Sequence, residues 1–252
     1  LGDVYKRQAE HLVKQLADFH EKNQWLDKQD KYGRQHSFVT YDNEANRQVL
    51  DEFRSYISGD SDEAGAGPNL LMAIKNLYLP DEKQVHMLEQ YIDDVLWGHL
   101  QNKDYSIRAS LYYMNNDIMY SWSKSRSEET WRAYNYPHQA AIYWAMYRLA
   151  RNFDGLVTNH TWKWYLNQAY RTVMAMHKFC GKDAFLELEQ YGLMVGSVHK
   201  SILEDLQNEN WTEEVNKFES YMKYRYETWA KLQYPYGSEM PWDSTGQEEV
   251  YT

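Results

Sequence analysis

The stretch Ala140-Ala-Ile-Tyr-Trp-Ala-Met-Tyr147 decides the fold. It is apolar on nearly every side of a helical wheel, so a helix here is buried on both sides. With Pro137 in the first turn, the pattern predicts an interior helix over 137–153. Further helices are predicted at 158–180, 184–207 and 211–233. In 184–207, Gly192 and Gly196 share a face with Leu188, Val195, His199 and Ile202, which permits close approach of a neighbouring helix. The 211–233 stretch carries a narrower stripe of Val215, Phe218, Met222, Trp229 and Leu232 among charges and reads as peripheral.

On the N-terminal side, Asp81 and Gln84 have capping-box spacing after Pro80. Val85, Leu88, Ile92, Val95, Leu96 and His99 follow at helical offsets, predicting a helix over 81–100. Residues 101–126 read as an aromatic loop with a short helix. A short helix covers 69–78, after a turn-rich linker from Ser58 to Pro68. Asp42 is placed to cap a helix over 43–57 carrying Val49, Leu50, Phe53 and Ile57. Residues 31–42 read as a loop with a short extended piece, and 9–27 as a helix with Leu12, Leu16 and Phe19 on one face. Residues 1–8 show no helical period and resemble a translated sequencing-adaptor scar. The expectation is one helical domain over 9–252, truncated at both ends. No strand pattern of any length and no fixed-period repeat is found. Buried helices alternating with one-sided ones predict an all-α fold, a partial toroid of antiparallel helical hairpins in two layers.

The chain has 252 residues, enough for one substantial core. Thirty-seven acidic against 27 basic side chains give a net charge of −10, which argues against nucleic acid as a partner, since phosphate binding needs a basic face. No apolar run is long enough for a membrane span. One cysteine, Cys180, excludes an internal disulfide, reads as a small buried hydrophobe and leaves the compartment open, cytoplasmic or exported. Tyr (23) and Trp (10) far outnumber Phe (7), and these two keep a polar handle suited to a wet concave surface.

The last motif is Tyr236-Gly-Ser-Glu-Met-Pro-Trp-Asp-Ser-Thr-Gly-Gln-Glu-Glu-Val-Tyr251. Gly237, Pro241 and Gly246 break a helix, so its acids belong to a loop or to the first turn of a following helix. A Trp face stacks on a pyranose, while a carboxyl group protonates a glycosidic oxygen. Glu239 is the candidate general acid, because Met240, Pro241 and Trp242 would partly desolvate it and favour its protonated form. Asp243 and Glu248 are candidate bases or substrate-binding acids. Trp242 is the candidate sugar platform, with Gln247 beside it. For Glu248 and Glu249 the alternative is favourable placement at a helix N-terminus, and for Glu249 that reading is preferred. Tyr134, Asn135, Tyr136 and His138 open the 137–153 helix and are candidate sugar-binding groups, with capping and core packing as the alternative.

The C-terminal motif, together with Arg132-Ala-Tyr-Asn-Tyr-Pro-His138, resembles an uncharacterised family of large bacterial and fungal proteins. That family is similar to the six-hairpin glycosidase superfamily, the (α/α)6 barrels. The resemblance implies a carbohydrate-active enzyme with its site in a central funnel formed by loops at the ends of inner helices. The helices read here fall short of a complete ring.

Other clusters point elsewhere. Asp93-Asp94 invites comparison with terpenoid cyclases, but the spaced acidic motif is absent and solvated helix-face acids explain it better. His177 and Cys180 have metal-ligand spacing without a second pair, so they read as core residues and no metal or cofactor is expected. Asn159-His-Thr161 and Asn210-Trp-Thr212 match the glycosylation acceptor pattern, which arises often by chance. Three functions stay open: a glycoside hydrolase on an oligo- or polysaccharide, a polysaccharide lyase using Tyr136 and His138, and a non-catalytic carbohydrate-binding domain.

Overall fold

The computed structural model describes residues 2–50, 63–111, 123–181, 188–236 and 246–252. The fold is mainly helical. Helix α1 (Gly2–Phe19) runs into a π-helical turn, His20–Gln24. Two small antiparallel ladders follow, β1 (Trp25–Leu26) with β2 (Ser37–Phe38), and β3 (Tyr41–Asp42) with β4 (Arg47–Gln48). Then come α2 (Glu63–Tyr78), α3 (Glu82–Tyr91) with a π-helical extension Ile92–Leu96, and the short α4 (Lys124–Ser127). The C-terminal half holds α5 (Asn135–Asn152), α6 (Trp162–Cys180), a 3₁₀ turn Leu188–Gln190, α7 (Val198–Asn208), α8 (Thr212–Trp229) and α9 (Gln247–Val250).

Helix α5 is the interior element its composition predicts. Ile142, Tyr143, Ala145 and Met146 are fully buried. Each such large side chain contributes roughly 1.5–3 kcal/mol relative to exposure. Between Asn135 and Leu149 only Trp144 and Arg148 reach the rim, where both bond Asp205 of α7 at 2.8 and 2.9 Å. Helix α6 pairs with α5 in opposite direction. Tyr147 meets Trp162, Tyr143 meets Trp164, and the Tyr136 hydroxyl shares the Thr130 carbonyl with Cys180, so rising numbers on α5 match falling ones on α6 or its end. The buried Gln101 side chain stitches the pair, accepting from Tyr143 and donating to Thr172.

Helix starts follow the chemistry of their caps. The Asp81 carboxylate accepts from the Gln84 amide at 3.2 Å, and Thr161 Oγ1 accepts from Trp164. The capping box of α3 is half made, because the Gln84 side chain reaches Glu21 instead. Burial also recruits a carboxylate: Glu89, 1% exposed, accepts the amides of Thr158 and Asn159, both at 2.7 Å, and so holds the turn between α5 and α6.

Several expected elements differ. Helix α1 begins at Gly2, so residues 2–8, expected to lie outside the fold, are helical. No helix starts at Asp42. Its carboxylate caps a tight hairpin turn, accepting from Glu44 and Ala45, and Asn46 takes the left-handed conformation that closes it. Residues 51–57 of that expected helix lie outside the described residues. The expected linker is helical from Glu63, despite Pro68, because Ala66, Asn69, Met72 and Ala73 are buried where α2 packs on α5. Tertiary packing overrides local propensity there. The 81–100 helix stops at Leu96, leaving His99 exposed in a turn, and the 184–207 helix begins only at Val198.

Two readings of side chains are also corrected. Asp93 and Asp94 are not simply solvated: Asp93 bonds His160 at 2.7 Å and Asn159 at 2.9 Å, and Asp94 bonds His36 at 2.5 Å. Cys180 is buried as expected, whereas His177, read as core, is 43% exposed. Among the described helices none is long and apolar enough to cross a membrane.

Candidate functional site

The catalytic candidates Glu239 and Asp243, and the platform Trp242, lie outside the described residues. The residues on either side of them are fixed, and both sides rest on one glycine. The Gly192 amide donates to Pro235 O at 2.8 Å, and Gly192 forms a β-bridge with Tyr236. Gly246 approaches from the other side so closely that a Cβ on residue 192 would lie 2.4 Å from its carbonyl oxygen. A third tie runs between the Tyr236 and Tyr251 hydroxyls, 3.0 Å apart. The expectation that Gly192 and Gly196 admit a close neighbour is met by this C-terminal segment, at glycines that precede α7.

Beyond Gly246 the three polar residues of the motif diverge. Gln247 is exposed, and Glu248 accepts from the Ser197 amide at 3.0 Å. Glu249 is buried. It takes a bidentate contact from Arg225, with Nη2 at 2.7 and 2.6 Å from its two oxygens, and bonds from His199 Nδ1 at 2.8 Å and the Leu193 amide at 2.7 Å. Burial alone would raise its pKa, but the charges of Arg225 and His199 and their hydrogen bonds outweigh it and hold the carboxyl at about 2. Glu249 is therefore a structural anion whose partners come from α7 and α8. A Cβ on Gly196 would meet its carboxyl group at 2.4 Å, so the pocket exists only with glycine there. The adjacent Val195 adopts φ +62, an uncommon conformation for a β-branched residue.

Arg225 is fully buried and reaches in a second direction, donating to Glu189 O at 2.6 Å and Tyr191 O at 3.2 Å. It thereby ties the motif to a second carboxylate–histidine pair. Glu189, 2% exposed, contacts His177 Nδ1 at 3.0 Å and accepts the Tyr221 hydroxyl at 2.7 Å. Burial raises the Tyr221 pKa well above its ordinary value, so that hydroxyl stays a donor. A carboxylate accepts only, so His177 carries its proton on Nδ1 and turns Nε2 outward. The ring stacks on Tyr221 at 4.3 Å and borders an open cleft of about 800 Å³ between α6 and α8. Lys178, Asn216, Lys217, Ser220 and Tyr224 form its other polar and aromatic walls.

The remaining sequence candidates open α5. Asn135 donates to the carbonyls of Arg108 and Ala109 at 3.0 and 3.2 Å, Tyr136 to Thr130 O at 2.8 Å, and His138 Nδ1 to Tyr134 O at 2.8 Å. All four of Tyr134, Asn135, Tyr136 and His138 are buried, and they fasten the preceding chain to α5. They also belong to the same end of the molecule as the network above. Tyr136 contacts the Cys180 thiol, which burial raises and which feels the charges of Glu189 and Arg225.

Sequence reasoning missed Arg225, His199, Glu189 and His177 as a connected set. Arg225 lies on a helix that reads as peripheral, and nothing in its spacing reveals a buried partner more than twenty residues away. The readable signal was weaker: glycines at 181 and 196, each of which leaves room for a carboxylate. Among the described residues, no group of three or more His, Cys, Asp and Glu side chains is arranged to hold a metal ion.

Residues 4–252 match the model of a family of unknown function, DUF5695, and the chain belongs to that family. No curated protein and no solved structure matches it.

Proposed function

We propose that this family member is a carbohydrate-active enzyme, a glycoside hydrolase acting on an oligo- or polysaccharide, built on a partial (α/α)6 toroid. Glu239 serves as general acid, Asp243 or Glu248 as the opposing carboxylate, and Trp242 as the platform for a sugar ring. The exposed Gln247 completes the proposed substrate contacts, the buried Tyr134, Asn135, Tyr136 and His138 support the site from beneath, and a carbohydrate is the partner.

The observation that carries this reading is the double attachment of the acidic motif to Gly192. Acid–base chemistry on a glycosidic bond needs two carboxyl groups at a set separation, roughly 5–5.5 Å for retention or 6.5–9.5 Å for inversion. A segment fastened at both ends, with Glu249 clamped by Arg225 behind it, suits that demand better than a free tail. The buried start of α5, at the same end of the molecule, supplies a rigid floor.

The test is turnover. General acid–base groups contribute roughly 10²–10⁴-fold to rate, so Glu239→Gln is expected to lose that factor in kcat while still binding oligosaccharide. Reducing-end release from a panel of neutral and acidic oligosaccharides measures it. Full activity in Glu239→Gln, or no hydrolysis of any glycan by the unaltered protein, overturns the reading.

A further inference from the structure

We propose that the cleft between α6 and α8 is a second ligand site, one that binds an acidic saccharide through its carboxylate. The inference stands on the cleft itself and not on the roles given to the C-terminal motif.

Charge comes first. The chain as a whole carries ten more acids than bases, yet the described residues lining this cleft include Lys178, Lys217 and His177 and not one Asp or Glu. Glu189 is withdrawn behind His177, where its oxygens are taken by the imidazole and by the Tyr221 hydroxyl. Lys217 is partly answered by Glu213, one turn earlier on α8, but both lie exposed and such a pair exchanges readily for a ligand. A local reversal of sign against an acidic background concentrates anions at this one place.

Geometry narrows the ligand. His177 stacks on Tyr221 with 4.3 Å between centroids, and Tyr224 lies against the same imidazole at 5.2 Å, tilted by 49°. Tyr224 is 40% exposed, so its ring is accessible to a flat apolar surface such as the C–H face of a pyranose. Asn216 and Ser220, one turn apart on α8, add an amide and a hydroxyl oxygen; Ser220 donates its proton to the Asn216 carbonyl at 2.8 Å and so offers ring hydroxyls an acceptor. The volume of about 800 Å³ is ample for more than one ring. Stacking face, hydroxyl partners and a cationic rim together describe a uronate-type saccharide better than a plain carboxylic acid or a neutral sugar.

Glu189 orients the site. By holding His177 at Nδ1 it fixes the plane of the ring and points Nε2 at the ligand, while Gly181 leaves room for that carboxylate, since a Cβ there would lie 2.6 Å from Glu189 Oε1. His177 is thus a binding residue with a built-in support.

The experiment is calorimetric titration of the protein with a galacturonate trisaccharide and, in parallel, with the neutral galactose trisaccharide. The acidic sugar is expected to bind at least about tenfold more tightly. His177→Ala and Tyr224→Ala, both at exposed positions, are each expected to weaken it about tenfold, and Lys178→Ala with Lys217→Ala to abolish the preference over the neutral sugar. These substitutions all lie outside the C-terminal motif, so loss of acidic-sugar binding in them locates the ligand in this cleft. Equal affinity for both sugars, no binding of either, or a preference that survives the loss of both lysines overturns the proposal.

Discussion

Glu249–His199 and Glu189–His177 are the same pair of groups put to different ends. Each carboxylate is buried, each lies against a glycine that a methyl group would displace, and each touches the same arginine, one through its side chain and the other through its backbone. The histidines differ. His199 is 2% exposed and His177 is 43% exposed. In the first pair the charge of Arg225 is directed at Glu249 itself, and both side chains are buried. In the second the carboxylate steadies an imidazole that is partly open to solvent. Exposure of the base, rather than the presence of the pair, separates a fastening from a working site.

The largest expected effect falls on the fastening. Arg225→Met leaves Glu249 buried without its main counter-charge, and breaking such a pair costs about 3–5 kcal/mol. Urea denaturation measures it, and a loss below about 1 kcal/mol would mean that Glu249 finds water in place of arginine.

Acid provides the second test. The Glu249 pKa is held at about 2, below its ordinary 4.5, so its contribution is complete above pH 4.5 and is lost as pH falls toward 2. That shift corresponds to about 3 kcal/mol of stability that the folded protein gives up over this window. A Glu249→Gln protein should be less stable at neutral pH and should show a flatter acid limb. Parallel acid limbs for the two proteins would remove Glu249 from this role.

The smallest effect contrasts the histidines directly. His199→Gln removes a buried partner of Glu249 and should lower stability by about 1–3 kcal/mol. His177→Gln also removes a partner of buried Glu189, but Tyr221 still donates to that carboxylate and the position is open to water, so the loss should stay below about 1 kcal/mol. Thermal unfolding of the two variants side by side decides it; equal losses would make the pairs equivalent and erase the distinction.

What the sequence revealed follows the same line. The interior position of α5 was legible because an all-round apolar run admits one environment, and the Asp81 cap was legible because its partner amide is three residues away. Fold class rested on such local signals. Asp42 shows where they fail: the same side chain caps a helix or a hairpin turn with equal chemistry, and the choice depends on residues 47–48 pairing back. Helix α2 shows the converse, with Gly65, Gly67 and Pro68 advising a break that packing against α5 overrules. At the site, Glu239, Trp242 and Asp243 stand out by composition alone. The Arg225 network does not, because it joins α8 to residues 189 and 249 across the fold, and only glycines with no local duty hint that something large must fit beside them.

The double hold of Gly192 has a consequence for how such a protein varies. The chain meets Gly192 at Tyr236 and again at Gly246, so the two points that bound residues 237–245 are already together. Lengthening a loop whose ends are closed adds only about 0.6 kcal/mol for each doubling. The contents between Tyr236 and Gly246 can therefore be exchanged, or extended, with little strain transmitted to α7 or α8. A change at Gly192 itself has no such freedom, since even one methyl group there collides with the returning backbone. The sequence between Tyr236 and Gly246 is free to vary in length while residue 192 stays a glycine.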